Sequence, residues 1–354
     1  MKSFGSLLIL LGIVSLVSGQ TYYDKLPESF NDFPRGEDAI RVSFYNVENL
    51  FDTYDDSLKR DEDFTPKGNH YWNNYRFYDK LNKLSKVVMA VGGWEPVEIA
   101  GFCELENRYV LEQLLSETPL SKNNYDIVHF ESPDRRGIDV GLIYRAEKVE
   151  LLSSKPIPIT FPWDSAYKTR DILYAQFKVL EKDTLHLFIN HWPSRWRGHL
   201  ETQPARMHVA RVLKQEVDRI QSEDPSARIL IMGDFNDQPV DKSMKEVLNA
   251  KLDTTNLDST DLVNMMFDKL ENQGTHKYQS EWAVLDQVVV SAPMLTKSKG
   301  LVVRNKQAQI FSAPFLIERD EKHGGTKVYR TYIGMKYHGG YSDHLPVFID
   351  LKVF

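Results

Sequence analysis

The sequence predicts an α/β fold whose strands run in mixed directions, and two observations carry that expectation. Short apolar runs recur between amphipathic helical stretches, and each ends in polar groups: Phe44-Tyr45 runs into Asn46 and Glu48, Phe102-Cys103 into Glu104, Ile189-Asn190 into His191, and Ile229-Leu230-Ile231-Met232-Gly233 into Asp234, Asn236 and Asp237. At the end of the chain the order reverses, because Asp343 and His344 precede the final apolar run, Val347-Phe348-Ile349. If these groups meet at one edge, the last strand must run antiparallel to the others. That disfavours a doubly wound parallel sheet, where ligands gather only at carboxyl ends. Asp286, near the start of its own strand, fits the reversed group.

Taken in order, the chain opens on a segment that reads as an export signal over residues 1–19. Lys2 precedes the apolar run Leu7-Leu8-Ile9-Leu10-Leu11-Gly12-Ile13-Val14, small residues follow, and cleavage is expected after Gly19. The run is shorter than the roughly 20 residues of a spanning helix. No stable membrane span is therefore expected after its removal, and the protein is expected to be secreted or periplasmic. Residues 20–39, with Tyr22, Tyr23, Pro27, Pro34 and Gly36, read as an irregular arm, and residues 40–354 as one domain without repeat or linker. With 354 residues, 42% hydrophobic and 27% charged, the chain is long and apolar enough for a sizeable core. Cys103 is the only cysteine, which excludes an intramolecular disulfide. A net charge of −6 argues against indiscriminate polyanion binding and leaves room for a local basic groove.

Within the domain, Arg41-Val42-Ser43-Phe44-Tyr45 alternates as a strand. Residues 52–74 read as a surface loop whose acids are too scattered for a calcium loop. Leu81, Leu84, Val87, Val88 and Val91 recur at helical spacing, and Gly92-Gly93 ends that helix. A buried strand over 97–103 follows, then a helix capped by Asn107 with Val110, Leu111, Leu114 and Leu115 inside. Residues 125–130 and 139–144 read as two strands, and 172–179 and 185–190 as two more. Pro204 marks a helix start ahead of Val209, Val212, Leu213, Val217 and Ile220. The four apolar residues Ile229 to Met232 suit a strand covered on both faces, with Gly233 as its turn. After a strand over 284–290, residues 296–341 are long, basic and aromatic with little period, and read as a substrate-shaping insert carrying Arg304, Lys306, Arg319, Lys322, Lys327 and Arg330.

One Asx-rich turn after a strand is commonplace, whereas several strands delivering Asn, Asp, Glu or His to one rim point to a shared site. Carboxylate and amide oxygens without thiolates suit hard Mg²⁺ or Mn²⁺. No His-Glu-x-x-His pattern, Gly-rich phosphate loop or Gly-x-Ser-x-Gly elbow is present. His191 and His344 can serve as general acid and base, and Asn side chains can orient an oxyanion. His70, His129, His186, His199, His208, His276, His323 and His338 lack such context and read as core or surface residues. Trp192 and Trp196 suit either packing or stacking on a base or sugar, and Arg195 and Arg197 suit a phosphate rim.

As a set, Asn46-Val47-Glu48, Glu104, Asn190-His191-Trp192-Pro193-Ser194, Gly233-Asp234-Phe235-Asn236, Asp286 and Ser342-Asp343-His344 resemble the endonuclease/exonuclease/phosphatase superfamily of DNase I-like and exonuclease III-like proteins, here as a secreted bacterial-type member. The resemblance implies a four-layer α/β sandwich with two central mixed or antiparallel β-sheets flanked by helices. It implies a Mg²⁺-dependent phosphoric ester hydrolase, with Mn²⁺ or Ca²⁺ as alternative ions. Glu104 looks like the principal metal ligand, with Glu48 and Asp343 as further metal contacts. Asn46 would orient phosphate or metal-bound water, Asp234 would activate or position the attacking water, and Asn236 would hold a phosphate oxygen. His344 would contact the scissile phosphate, with Asp286 fixing its tautomer, and His191 would be the second phosphate contact. Asp139 is a candidate partner for His191, and Arg170 and Arg195 are candidate phosphate contacts. The resemblance leads us to expect a monomeric nuclease acting on nucleic acid. The alternative is a phosphatase or phosphodiesterase of small phosphoesters such as inositol phosphates or lipid headgroups, and a non-catalytic secreted binding module on the same fold is more remote.

Overall fold

The computed structural model describes residue 32 and residues 34–196 and 198–354. The export signal, most of the N-terminal arm and Arg197 lie outside the described residues. In chain order the strands are β1 (Ala39–Leu50), β2 (Ile99–Leu105), β3 (Tyr125–His129), β4 (Asp139–Arg145), β5 (Val149–Ile157), β6 (Ile172–Val179), β7 (Asp183–His191), β8 (Arg228–Asp234), β9 (Ala250–Lys251) and β10 (Leu262–Asn264). They continue with β11 (His276–Tyr278), β12 (Glu281–Ala283), β13 (Asp286–Ser291), β14 (Leu301–Ile310), β15 (Ile317–Arg319), β16 (Thr326–Val328), β17 (Tyr332–Ile333), β18 (Lys336–Tyr337) and β19 (Val347–Val353). Three longer helices accompany them: α1 (Asn74–Gly92), α2 (Arg108–Ser116) and α3 (His199–Glu223).

Two large sheets result, one ordered β14-β19-β1-β2-β4-β3 and the other β5-β6-β7-β8-β13-β10-β9. Both are mixed. β1 runs parallel to β2 and antiparallel to β19, while β8 runs parallel to β7 and antiparallel to β13. The carboxyl ends of β1, β2, β7 and β8 and the amino ends of β13 and β19 therefore open on one edge, as the reversed order of Asp343-His344 and Asp286 requires.

Strand alternation builds the layers. Ile40, Val42 and Phe44 of β1 share a core with Leu187 and Ile189 of β7 and Leu230 and Met232 of β8, so the two sheets pack face to face. The opposite face of the first sheet, including Tyr45, Ala100 and Phe102, meets Leu81, Leu84 and Val88 of α1 and Val110 and Leu114 of α2. The opposite face of the second, including Phe188, Ile229 and Ile231, meets Val209, Leu213 and Val217 of α3. Helix, sheet, sheet and helix make the four-layer sandwich.

Several local expectations need correction. Gly233 is not the turn: it lies inside β8, and a Cβ there would sit 2.4 Å from the Asn190 carbonyl oxygen, so glycine is required by the close approach of β7. The backbone turns later, at Asn236, with φ of 51°. Pro204 lies within α3, because the polar first turn from His199 carries no apolar period that would reveal the boundary. Part of the 296–341 segment is core. β14 is an edge strand on β19, and its register breaks between Val303 and Ala308, where Asn305 and Lys306 take positive φ, which erased the alternation in the sequence.

Candidate active site

The site begins where β1 stops being a regular strand. Glu48 and Asn49 adopt φ of 51° and 59°, and Glu104 at the end of β2 adopts 62°, a left-handed geometry that is uncommon for residues with side chains. With Asn236, this places four such residues around one rim, where backbone strain re-aims the side chains. Asn46 accepts the Glu48 N–H at 3.0 Å and donates through Nδ2 to Asp234 Oδ2 at 3.1 Å, tying β1 to β8 across the two sheets. The Asn49 N–H donates to Glu104 Oε2 at 3.1 Å. Asp234 Oδ1 accepts the Asn236 N–H at 2.9 Å, and Asn236 Nδ2 donates to the Trp192 carbonyl at 3.1 Å. Ser342 locks the last segment in place by donating to the Asn46 carbonyl at 2.7 Å and accepting the His344 N–H at 3.1 Å.

Two imidazoles flank Asp234. His344 Nδ1 bonds Asp286 Oδ2 at 2.6 Å and its Nε2 lies 3.9 Å from Asp234 Oδ2. His191 Nε2 lies 3.7 Å from Asp234 Oδ2 and 3.8 Å from Glu104 Oε1. Their electrostatics differ. Burial opposes charge on His344, but Asp286 and Asp234 outweigh it and hold its pKa well above the ordinary value. Burial, reinforced by Arg170 and Arg136, pushes His191 well below, so it is a neutral imidazole. Burial lifts Asp234 to about 7, with Asp286 and Glu104 adding to the rise and the His344 charge opposing it. Asp343 is held near the low end, at about 2: burial raises it, and Arg330 and His344 more than offset that.

The structure brings Asn46, Glu48, Glu104, His191, Asp234, Asn236, Asp286, Asp343 and His344 together, and it treats three other expected residues differently. Arg170 is buried, donating to Asp134 Oδ2 at 3.2 Å and to the Trp192 carbonyl at 2.6 Å, so it braces the wall behind the site and has no exposed face for a phosphate. Arg195 bonds the Asn236 carbonyl, Asp237 Oδ1 at 3.1 Å and Asp241 Oδ2 at 2.7 Å, which commits its guanidinium to the turn after β8. Asp139 bonds His129 Nε2 at 3.1 Å and the Ser132 N–H at 2.9 Å, and does not orient His191. Among the described residues, His191 Nδ1 is buried without a hydrogen-bond partner. Trp192 is buried against Phe235 and donates to Asn190 Oδ1 at 3.1 Å, which makes it a packing residue.

Four contributors escaped the sequence reading. Arg330 Nε donates to Glu48 Oε1 at 3.1 Å and its Nη2 to Asp343 Oδ2 at 2.9 Å, while the neighbouring Thr331 N–H donates to Glu48 Oε2 at 2.6 Å. Lys80 of α1 is buried and donates to Thr331 Oγ1 and the Tyr341 carbonyl. His276 packs its ring 4.7 Å from that of His344. All come from segments without a strand-end signal. The basic, aromatic character of 296–341 was the only trace of Arg330.

Asp234, Asp286 and His344, and Asp343 with His276 and His344, bring ligand atoms close enough together to hold a cation, and their carboxylate oxygens suit a hard divalent ion, while burial holds the Cys103 thiol in its protonated form. Glu104 and Asp343 are the accessible acids of the rim, with side chains 16% and 19% exposed against 3% for Asp234 and 4% for Glu48, and Glu104 Oε1 faces His191 beyond hydrogen-bond reach.

Fold and site together define a DNase I-like α/β sandwich with an acid–imidazole centre rich in oxygen donors, the architecture of phosphoester hydrolases. The chain belongs to the Endonuclease/Exonuclease/phosphatase family, whose sequence profile matches residues 41–353. No curated protein sequence matches it. Among solved structures, it is similar to the human nocturnin catalytic domain with bound sulfate (17% identity, 91% of this chain and 97% of that one, TM-score 0.54). It is also similar to D. rerio TDP2 complexed with a single-strand DNA product (15%, 90% and 100%, TM-score 0.53). A third similar structure is the endonuclease/exonuclease/phosphatase from Bacteroides vulgatus (14%, 89% and 99%, TM-score 0.54). At these identities the likeness is one of fold.

Proposed function

We propose that this protein is an exported, monomeric, metal-dependent nuclease that hydrolyses phosphodiester bonds. The observation that carries the reading is the pair of histidines placed on either side of Asp234, one held charged by Asp286 and the other kept neutral by burial. The His344 imidazolium is the donor that stabilises negative charge developing on the phosphate. Asp234, next to both rings, orients the attacking water and receives its proton, a role suited to a carboxyl with a pKa of about 7. Asn46 and Asn236 fix the two Asp234 oxygens. When bound at Glu104, a divalent ion supplies Lewis-acid stabilisation of the phosphoryl oxygens.

The nuclease reading draws support from the family and from the fold shared with a TDP2 solved with single-strand DNA product. Burial of Arg170 against Asp134 and the Trp192 carbonyl removes one basic contact that a polymer would use, which favours the second reading, a phosphatase or phosphodiesterase of small esters. Among the described residues, no helix is long and apolar enough to cross a membrane. Hydrolysis of plasmid DNA, RNA, inositol phosphates and sphingomyelin with Mg²⁺ and with EDTA separates the readings. A nuclease cleaves the polymers, with KM rising steeply between low and moderate salt. Turnover of only the small esters, with little salt dependence, replaces the first reading by the second.

A further inference from the structure

We propose that Trp163 and Tyr167, on the loop between β5 and β6, form a stacking subsite for an unpaired nucleobase near the scissile phosphate, so that the protein prefers single-stranded nucleic acid to duplex. This inference rests on the nuclease reading above. The loop carries its rings in two tiers. Phe161 is buried, and Tyr167 lies flat on it, with ring centroids 4.7 Å apart and planes 13° from parallel. Trp163 stands beside Phe161 at 5.4 Å, tilted by 48°, and His208 of α3 meets it edge-on at 5.2 Å. His208 is fixed in turn by its Nε2, which donates to the Thr160 carbonyl at 2.9 Å. Although braced from below, Trp163 and Tyr167 are 57% and 38% exposed. Rings held in place before binding lose little freedom when a base stacks on them, and every base offers a face to stack.

The same loop ends at the active site. Arg170 follows Tyr167 by three residues, within about 11 Å along the chain. It donates to the Trp192 carbonyl at 2.6 Å, the oxygen that also accepts Asn236 Nδ2 at 3.1 Å. Arg135 Nη2 donates to the Ala166 carbonyl at 2.9 Å and ties the loop to the turn before β4. The next residue, Arg136, is half-exposed and close enough to His191 to act on it electrostatically. One turn thus links the ring loop to His191 with positive charge, and the exposed Lys168 adds to it. Asp164, the acid of the loop, is engaged by the Ala166 and Tyr167 N–H groups. Cations that track a phosphate backbone beside aromatic rings are what a single strand requires. A duplex keeps its bases stacked on one another and presents only their edges, which leaves the rings nothing to stack on.

The test is the KM of the whole mature protein in Mg²⁺ for a labelled single-stranded oligonucleotide and for the same sequence as a duplex. The wild type should show the lower KM on the single strand. Trp163→Ala combined with Tyr167→Ala should raise the single-strand KM about 5- to 150-fold, with the loss in KM rather than kcat and the duplex KM little moved. Tyr167→Phe, which keeps a ring, should hold the wild-type value. An unchanged single-strand KM in a double variant with a native circular dichroism spectrum overturns the proposal, as does an equal rise for strand and duplex. Unchanged single-strand KM together with lost binding to phosphatidylcholine vesicles overturns it in favour of a membrane surface. If the double variant does not fold, the wild type decides: a single-strand KM no lower than that of the duplex overturns the proposal. A wild type that cleaves neither polymer overturns the nuclease reading as well, which distinguishes the two failures.

Discussion

Asp234 and His344 carry the chemistry through opposite environments. Burial keeps the Asp234 carboxyl near neutrality in pKa, while Asp286, bonded at 2.6 Å, keeps His344 charged despite its own burial. Asp234→Asn is expected to lower kcat by about 10²- to 10⁴-fold without changing the circular dichroism spectrum, and wild-type turnover in that variant removes Asp234 from the reaction. Asp286→Asn takes away the main support of the His344 charge. The His344 pKa then falls, the charged form is lost at lower pH, and the alkaline limb of kcat/KM moves to lower pH. An unmoved limb means His344 does not set it. At this scale much of the site was legible: Asn46, Glu48, Glu104, His191 and Asp234 sit where apolar strands end. Arg330, Lys80 and His276 were not legible, because only tertiary approach brings a helix residue, a residue of the segment between β16 and β17, and the His276–Tyr278 strand to the same rim. Arg170 is buried because Asp134 waits for it, which a sequence does not show, and Arg195, though bonded to Asp237 and Asp241, stays part-exposed beside the turn after β8.

Among the elements, β8 is held by its neighbours more than by its own propensity. A Cβ at Gly233 would meet the Asn190 carbonyl at 2.4 Å, a backbone atom that cannot move away, whereas one at Gly101 would meet Ile189 Cδ1 at 2.5 Å, the end of a flexible side chain. Overpacking therefore predicts about 3 kcal/mol of destabilisation for Gly233→Ala and about 1 kcal/mol for Gly101→Ala. Denaturant unfolding of both checks the ranking, and equal midpoints contradict the close-approach account. Strand and helix existence followed from periodicity in β1, α1 and α2, and from short continuous apolar runs in β2 and β8. β14 was missed because its bulge at Asn305-Lys306 breaks the period, and the start of α3 because its first turn is polar.

For the molecule as a whole, the mixed direction of strands was readable from the reversed order of Asp343-His344 before β19, while the face-to-face pairing of two sheets came only through the family resemblance. Global stability should carry the mark of buried acids, Glu106 the most shifted of them. Glu106, just beyond β2, accepts the Asp52 N–H at 2.7 Å, and burial, with Asp52 and Asp61 nearby, lifts its pKa from 4.5 to about 8. The unfolded chain therefore ionises Glu106 first. Its contribution is fully present below pH 4.5 and is lost progressively as pH rises toward about 8. Glu106→Gln should lessen the fall of the unfolding free energy across that window, leaving the share that Asp234, lifted to about 7, contributes there, and an unchanged pH profile contradicts the assignment. If this rim hydrolyses phosphodiesters with the help of a divalent ion, as proposed, the mature protein cleaves a labelled single-stranded oligonucleotide in Mg²⁺, and EDTA abolishes the cleavage and Asp234→Asn lacks it; undiminished cleavage in EDTA, or by Asp234→Asn, rules that chemistry out.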